Sequence, residues 1–153
     1  MGSEKKVNVI PRENAVFRMD KNGIWHNEHG RFEHPKIISY FNRSIQKDDQ
    51  GYFLSQTLDG MVEKVYFPYE DTAVFVVDIR VEKNIDLILN TGTKCPLAPD
   101  TLFIKDDNLY CRIPDHLVKF NQHALAKMAV HLDETEHGLV LCLGESSRVI
   151  PEK

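Results

Sequence analysis

Apolar positions change period several times along the chain, and each change predicts an element. Residues 1–14 are polar and aperiodic, so 1–16 reads as a flexible N-terminal tail. Phe17 to Trp25 and Gly30 to Glu33 read as a short hairpin around Asp20-Lys21-Asn22-Gly23, because Asn and Gly tolerate the positive φ of tight turns. Pro35 suits a first helical position, and Ile37, Ile38, Phe41 and Ile45 then recur at helical spacing, predicting a helix near 35–46. Asp48 to Gly51 breaks it and begins a strand at Tyr52 to Gln56. Val62 to Phe67, Ala73 to Val81 and Ile85 to Leu89 are rich in β-branched and aromatic residues, predicting a central antiparallel meander. Cys95-Pro96 to Pro99-Asp100 is a loop.

The same outline then returns. Leu102 to Lys105 and Leu109 to Ile113 form a second hairpin around Asp106-Asp107-Asn108. Pro114-Asp115 marks the start of a helix over 116–133, with Leu117, Asn121, Ala124, Leu125, Met128 and Leu132 along one stripe. Gly138 and Leu139 to Leu143 close the unit. Asn22 and Asn108 are 86 residues apart, and Gly51 and Gly138 are 87 apart. The predicted fold is α+β, with two similar hairpin–helix–strand halves at 17–82 and 83–145 and a C-terminal tail at 146–153.

Length and composition add limits rather than chemistry. A chain of 153 residues, 42% hydrophobic and 27% charged, can bury a sizeable core without staples. A net charge of −4 offers no basic field for phosphates, which argues against nucleic acid as a partner. Cys95, Cys111 and Cys142 are odd in number and lack C-x-x-C spacing, so neither a disulfide framework nor a zinc ribbon is indicated. The charged start Met1 to Lys6, and the lack of any apolar run long enough for a signal core or a span, point to a cytoplasmic protein without a membrane partner.

Candidate chemistry is sparse. His26, Glu28, His29 and His34 are the densest cluster of possible metal ligands, but they lack the helical H-E-x-x-H spacing that makes two imidazoles converge; the alternative is an exposed polar loop. Trp25 either anchors the hairpin in a core or stacks on a ligand. Glu70 and Asp71 could share a proton only if they faced each other, and neighbours in an extended segment point apart. His116, His123 and His131 are explained as core or surface residues. No Gly-x-Ser-x-Gly elbow occurs, and Asn90-Thr91-Gly92-Thr93 is not a phosphate loop. No cofactor is implied.

The order of landmarks carries a resemblance. Asp20-Lys-Asn-Gly23-Ile-Trp25-His26, Gly30, Ile38-Ser-Tyr-Phe41, Asp49-Gln-Gly51-Tyr52-Phe-Leu54, Glu63-Lys64-Val65, Glu70-Asp71 with Phe75, and Asn90-Thr91-Gly92 together resemble the bacterial family named domain of unknown function 1285. The likeness spans roughly residues 17–145. It implies a two-part α/β protein with repeated motifs, without an established enzymatic activity and with a part in signalling or ligand binding. It points to Trp25, His26, Glu70, Asp71, Asn90 and Thr91 as ligand-binding positions, with a cleft between the halves as the expected place. The reading that follows is a non-catalytic ligand-binding or regulatory protein whose partner is a small molecule or a protein. The alternatives are a metal-assisted hydrolase using His26, His29 and His34, and an interaction scaffold, including a homodimer formed through an edge strand.

Overall fold

Among the described residues, 6–153 of the computed structural model with only the backbone described at Leu58, strand takes up 52% and helix 16%. Two α-helices and four sheets make the fold mostly β, which overturns the expected α+β pair of hairpin–helix–strand halves. The chain divides into two units, Met1–Ala73 and Val74–Lys153. The division falls before the Val74 strand rather than at 82/83, because that strand and the next form one hairpin within the second unit.

The first unit contains β1 (Lys6–Ile10), β2 (Phe17–Met19), β3 (Trp25–Asn27), β4 (Gly30–Arg31), α1 (Pro35–Arg43), β5 (Ile45–Asp48), β6 (Gly51–Leu58) and β7 (Met61–Tyr66). One sheet has the order β1-β7-β6-β5 and the other β2-β3-β4. The β2–β3 turn forms as expected, with Gly23 at φ 78° and the Asp20 carboxylate accepting the N–H groups of Asn22 and Ile24. Within the expected tail, Lys6–Ile10 forms a strand parallel to β7, while residues 1–5 lie outside the described residues. Pro35 does open α1, but the helix stops at Arg43 because Ile45 turns into β5, where it pairs with Leu54 and is buried.

The second unit contains β8 (Val74–Val81), β9 (Ile85–Leu89), β10 (Lys94–Pro96), β11 (Phe103–Lys105), β12 (Asn108–Ile113), β13 (His116–Phe120), α2 (Gln122–Ala129), β14 (Leu132–Thr135), β15 (Gly138–Leu143) and β16 (Ser146–Val149). Its larger sheet runs β10-β9-β8-β13-β12-β11, with β13 parallel to β8, and its smaller one β14-β15-β16. The central meander is corrected here: β7 is flanked by β1 and β6, and β8 by β9 and β13, so the two strands lie in different sheets. The expected helix over 116–133 is also corrected. His116–Phe120 is a strand hydrogen-bonded on both sides, and the helix starts only after Asn121, whose Oδ1 accepts the Ala124 N–H. Pro114-Asp115 is a hairpin turn with Asp115 at φ 69°, and not a helix start. Residues 146–149, expected in a tail, pair with β15.

The core of the first unit is aromatic. Trp25 is 1% exposed, its ring centroid 4.8 Å from Phe67, 5.4 Å from Phe41 and 5.7 Å from Phe17 in edge-to-face contacts. Its Nε1–H donates to Asn42 Oδ1 at 2.8 Å, so the one polar atom of the indole is satisfied inside the core. The second unit buries Val74, Phe75 and Val76 in succession, as a central strand covered on both faces does.

Two stability effects follow. Trp25→Ala removes the shared ring of this cluster and leaves Asn42 without its donor, so chemical denaturation is expected to show a loss of about 3–5 kcal/mol; an unchanged midpoint would mean the indole is not a core residue. Asn121→Ala removes the cap of α2 and is expected to cost about 1 kcal/mol in the same measurement.

Candidate functional site

The positions singled out by sequence are divided between the two units, Trp25, His26, Glu70 and Asp71 in the first and Asn90 and Thr91 in the second. Trp25 is enclosed by Phe17, Phe41 and Phe67 and cannot present its face to a ligand without opening that core. His26, the next residue on β3, points the other way and its Nε2 lies 2.7 Å from Asp20 Oδ2. Because a carboxylate only accepts, the imidazole carries its proton on Nε2. Burial pushes the Asp20 carboxyl up, but the hydrogen bonds from His26, Ile24 and Asn22 outweigh it and hold the group below the usual carboxylate range. His26 thus stabilises a turn.

Glu70 is tied to the same turn, its Oε2 accepting the Lys21 N–H at 2.8 Å and its Oε1 lying 3.9 Å from Arg18 Nη1; Asp71 follows, half-buried. Asn90 and Thr91 belong to the second unit. Asn90 brackets the start of β8, its Oδ1 accepting the Phe75 N–H and its own N–H donating to the Phe75 carbonyl, both at 2.9 Å. Thr91 Oγ1 donates to Thr93 Oγ1 at 3.3 Å. His29 and His34 line a shallow depression of about 280 Å³ with Arg31, Phe32 and Ile37, and His26 is not part of it. His26 is held at the β2–β3 turn by Asp20, whereas His29 sits in the β3–β4 turn and His34 stands at the N-cap of α1. Among the described residues no group of three or more His, Cys, Asp or Glu side chains is placed to hold a metal ion.

A different place has the shape of a binding site. Between α1, the segment 10–17 and the sheet lies a pocket of about 270 Å³ lined by Ile10, Asn14, Ala15, Val16, Phe17, Tyr40, Phe41, Ser44, Leu54, Ser55, Gln56, Glu63 and Val65. It exists because α1 packs incompletely: no residue of the helix is fully buried, and Tyr40 is 54% exposed beside a 78% exposed Val16. Phe41 is held against Trp25 and Phe17, and Ser44 at the end of the helix is tied to β6 by its carbonyl, which accepts the Ser55 N–H at 3.2 Å.

The floor is set by the β6–β7 register. Leu54 pairs with Val65 and Gln56 with Glu63, so an apolar rung and a polar rung share one face. Gln56 Nε2–H donates to Glu63 Oε1 at 3.0 Å. Ser44 Oγ–H is spent on the Tyr40 carbonyl at 2.7 Å. Sequence reasoning missed this pocket. The signal available was Gln56 two residues after buried Leu54, and Glu63 two residues before buried Val65: polar side chains in phase with core positions.

No protein-family model and no curated protein matches the sequence. Among solved structures, the chain is similar to a DUF1285 family protein from Silicibacter pomeroyi with a TM-score of 0.62 and 11% identity, over 96% of this chain and 83% of that one. It is also similar to a DUF1285 family protein from Shewanella baltica with a TM-score of 0.53 and 17% identity, over 75% of this chain and 91% of that one. Identities this low speak to the fold alone. In fold, this chain resembles the DUF1285 family.

Proposed function

We propose that this protein is a non-catalytic, regulatory ligand-binding protein whose site is the pocket beneath α1 in the first unit. The observation that carries the reading is the pocket itself, with apolar walls from Ile10, Phe17, Phe41, Leu54 and Val65 and one polar end at Gln56 and Glu63. Ligand sites are typically apolar hollows with a few convergent polar groups and volumes of about 300–1,000 Å³, and this one lies near the small end of that range. The lining contains no histidine, cysteine or lysine, its one carboxylate, Glu63, accepts from Gln56, and Ser44 has a carbonyl rather than a base as its partner.

The thiols elsewhere support a non-catalytic reading. Burial pushes Cys111 up to about 12 and also raises Cys95, while the hydrogen bond to Asp133 raises Cys142. A nucleophilic cysteine needs the opposite, a thiolate stabilised near neutral pH.

The test is a thermal-shift screen of metabolites on the whole chain, repeated on Ala15→Phe, which fills the pocket from an extended loop position. A ligand at a hundred times its Kd adds about 2.7 kcal/mol to apparent stability. Hits on the wild type that vanish in Ala15→Phe are the expected result; hits retained by the variant, or none at saturation, would count against this site. Iodoacetamide labelling of the native protein is expected to be slower at all three cysteines than at free glutathione. A faster cysteine would reopen thiol catalysis.

A further inference from the structure

The polar end of the pocket says which ligand chemistry suits it. Glu63 is half-buried in the face that also carries Leu54 and Val65. Its Oε1 accepts from Gln56 Nε2–H, which turns the Gln56 carbonyl oxygen away from the carboxylate. The orientation of the amide is not ambiguous here, because a carboxylate has no proton to offer a carbonyl. Two acceptors remain on this pair, the second carboxylate oxygen and the amide carbonyl, with Asn8 of β1 the cross-strand neighbour of Glu63.

Two of the neighbouring cations are engaged elsewhere, and Lys6, on the same face of β1, makes no ion pair with Glu63. Lys64 points to the opposite face of the sheet, where its Nζ is 3.3 Å from Asp48 Oδ2, and the Arg12 guanidinium lies over the Tyr69 ring. Among the described residues, no lysine, arginine or histidine forms an ion pair with Glu63. A carboxylate removed in part from water and left without a cation gains from a charged donor that brings its own apolar covering.

Resting on the pocket reading above, we propose that the ligand is a small amphipathic amine. Its ammonium sits on Glu63 and the Gln56 carbonyl, and its aromatic or branched aliphatic body lies between Phe17, Phe41 and Leu54. A carboxylate ligand would face the charge of Glu63, and a neutral alcohol could donate only one hydrogen bond where an ammonium donates three.

The experiment titrates the full-length protein, followed by amide NMR, with phenethylamine, phenethyl alcohol and hydrocinnamate, which share one body and differ in the head group. Phenethylamine is expected to shift the signals of Phe41, Leu54 and Val65 and to bind at least about tenfold more tightly than the other two, the difference one charge-assisted contact supplies. Glu63→Gln should erase that preference. If the alcohol or hydrocinnamate binds as tightly as the amine at those residues, the amine assignment is wrong and the pocket reading stands. If none of the three perturbs them, both fall. The comparison of head groups on the wild-type protein decides the matter even if the variant does not fold.

Discussion

The burial of Trp25 is the constraint on which the first unit depends. A large ring with one N–H can be enclosed only where an acceptor meets that N–H, and Asn42 supplies it from α1. The bond and the edge-to-face contacts with Phe41 determine how the helix is turned about its axis. Phe17 from β2 and Phe67 after β7 complete the cluster, so segments distant in sequence meet at one ring. With Phe41 drawn into this core, Tyr40 is left exposed at the rim of the pocket.

Strand alternation then sorts the chemistry of β6 and β7 by face. On one side Lys64, Tyr66 and Asp48 satisfy one another. The Tyr66 hydroxyl donates to Asp48 Oδ2 at 2.6 Å, and this bond pushes the phenol up to about 12 while holding the carboxyl low. On the other side, Glu63 accepts from the Gln56 amide and has Asn8 as its cross-strand neighbour on β1. Two residues apart along the strand keep a side chain on the same face and one residue apart moves it across, so a neighbouring lysine is no partner for this glutamate.

The second unit is organised by a different requirement, a central strand without a solvent face. β8 is paired antiparallel to β9 and parallel to β13, and its first residues are buried on both sides. A register shift between Val76 and Asp78 then interrupts the ladder with β9. Beyond it, Asp78 Oδ1 meets Lys127 Nζ at 2.6 Å and so ties α2 to this strand. The lysine is the first cause of a carboxyl held below its usual range.

Local features were legible in the sequence because their physics is local. Asp20-Lys-Asn-Gly23 and Asp106-Asp107 carry residues that tolerate positive φ, and both form the expected turns; Pro35 opens a helix because its lost N–H would have had no partner there. The choice of Trp25 as a buried anchor was likewise available from the size of indole and its single donor. Pairing was not. His116 to Phe120 fits a helical stripe as well as a strand, and only the backbones of β12 and β8, one adjacent and one some forty residues away, decide for the strand. β7 looked like a neighbour of β8 until β1, whose alternation is confined to Lys6-Val7-Asn8-Val9, occupied its other edge. The pocket is a still stronger case, since its lining comes from four separated stretches and its opening depends on where one aromatic residue is drawn. The sequence by itself determined the tight turns, the start of α1 and which large side chain must be buried, because those follow from a few adjacent residues. Which strands meet, and therefore which polar groups share a face with the core, was decided only by the tertiary structure, because hydrogen-bond ladders join backbones whose sequence separation leaves no mark on either strand.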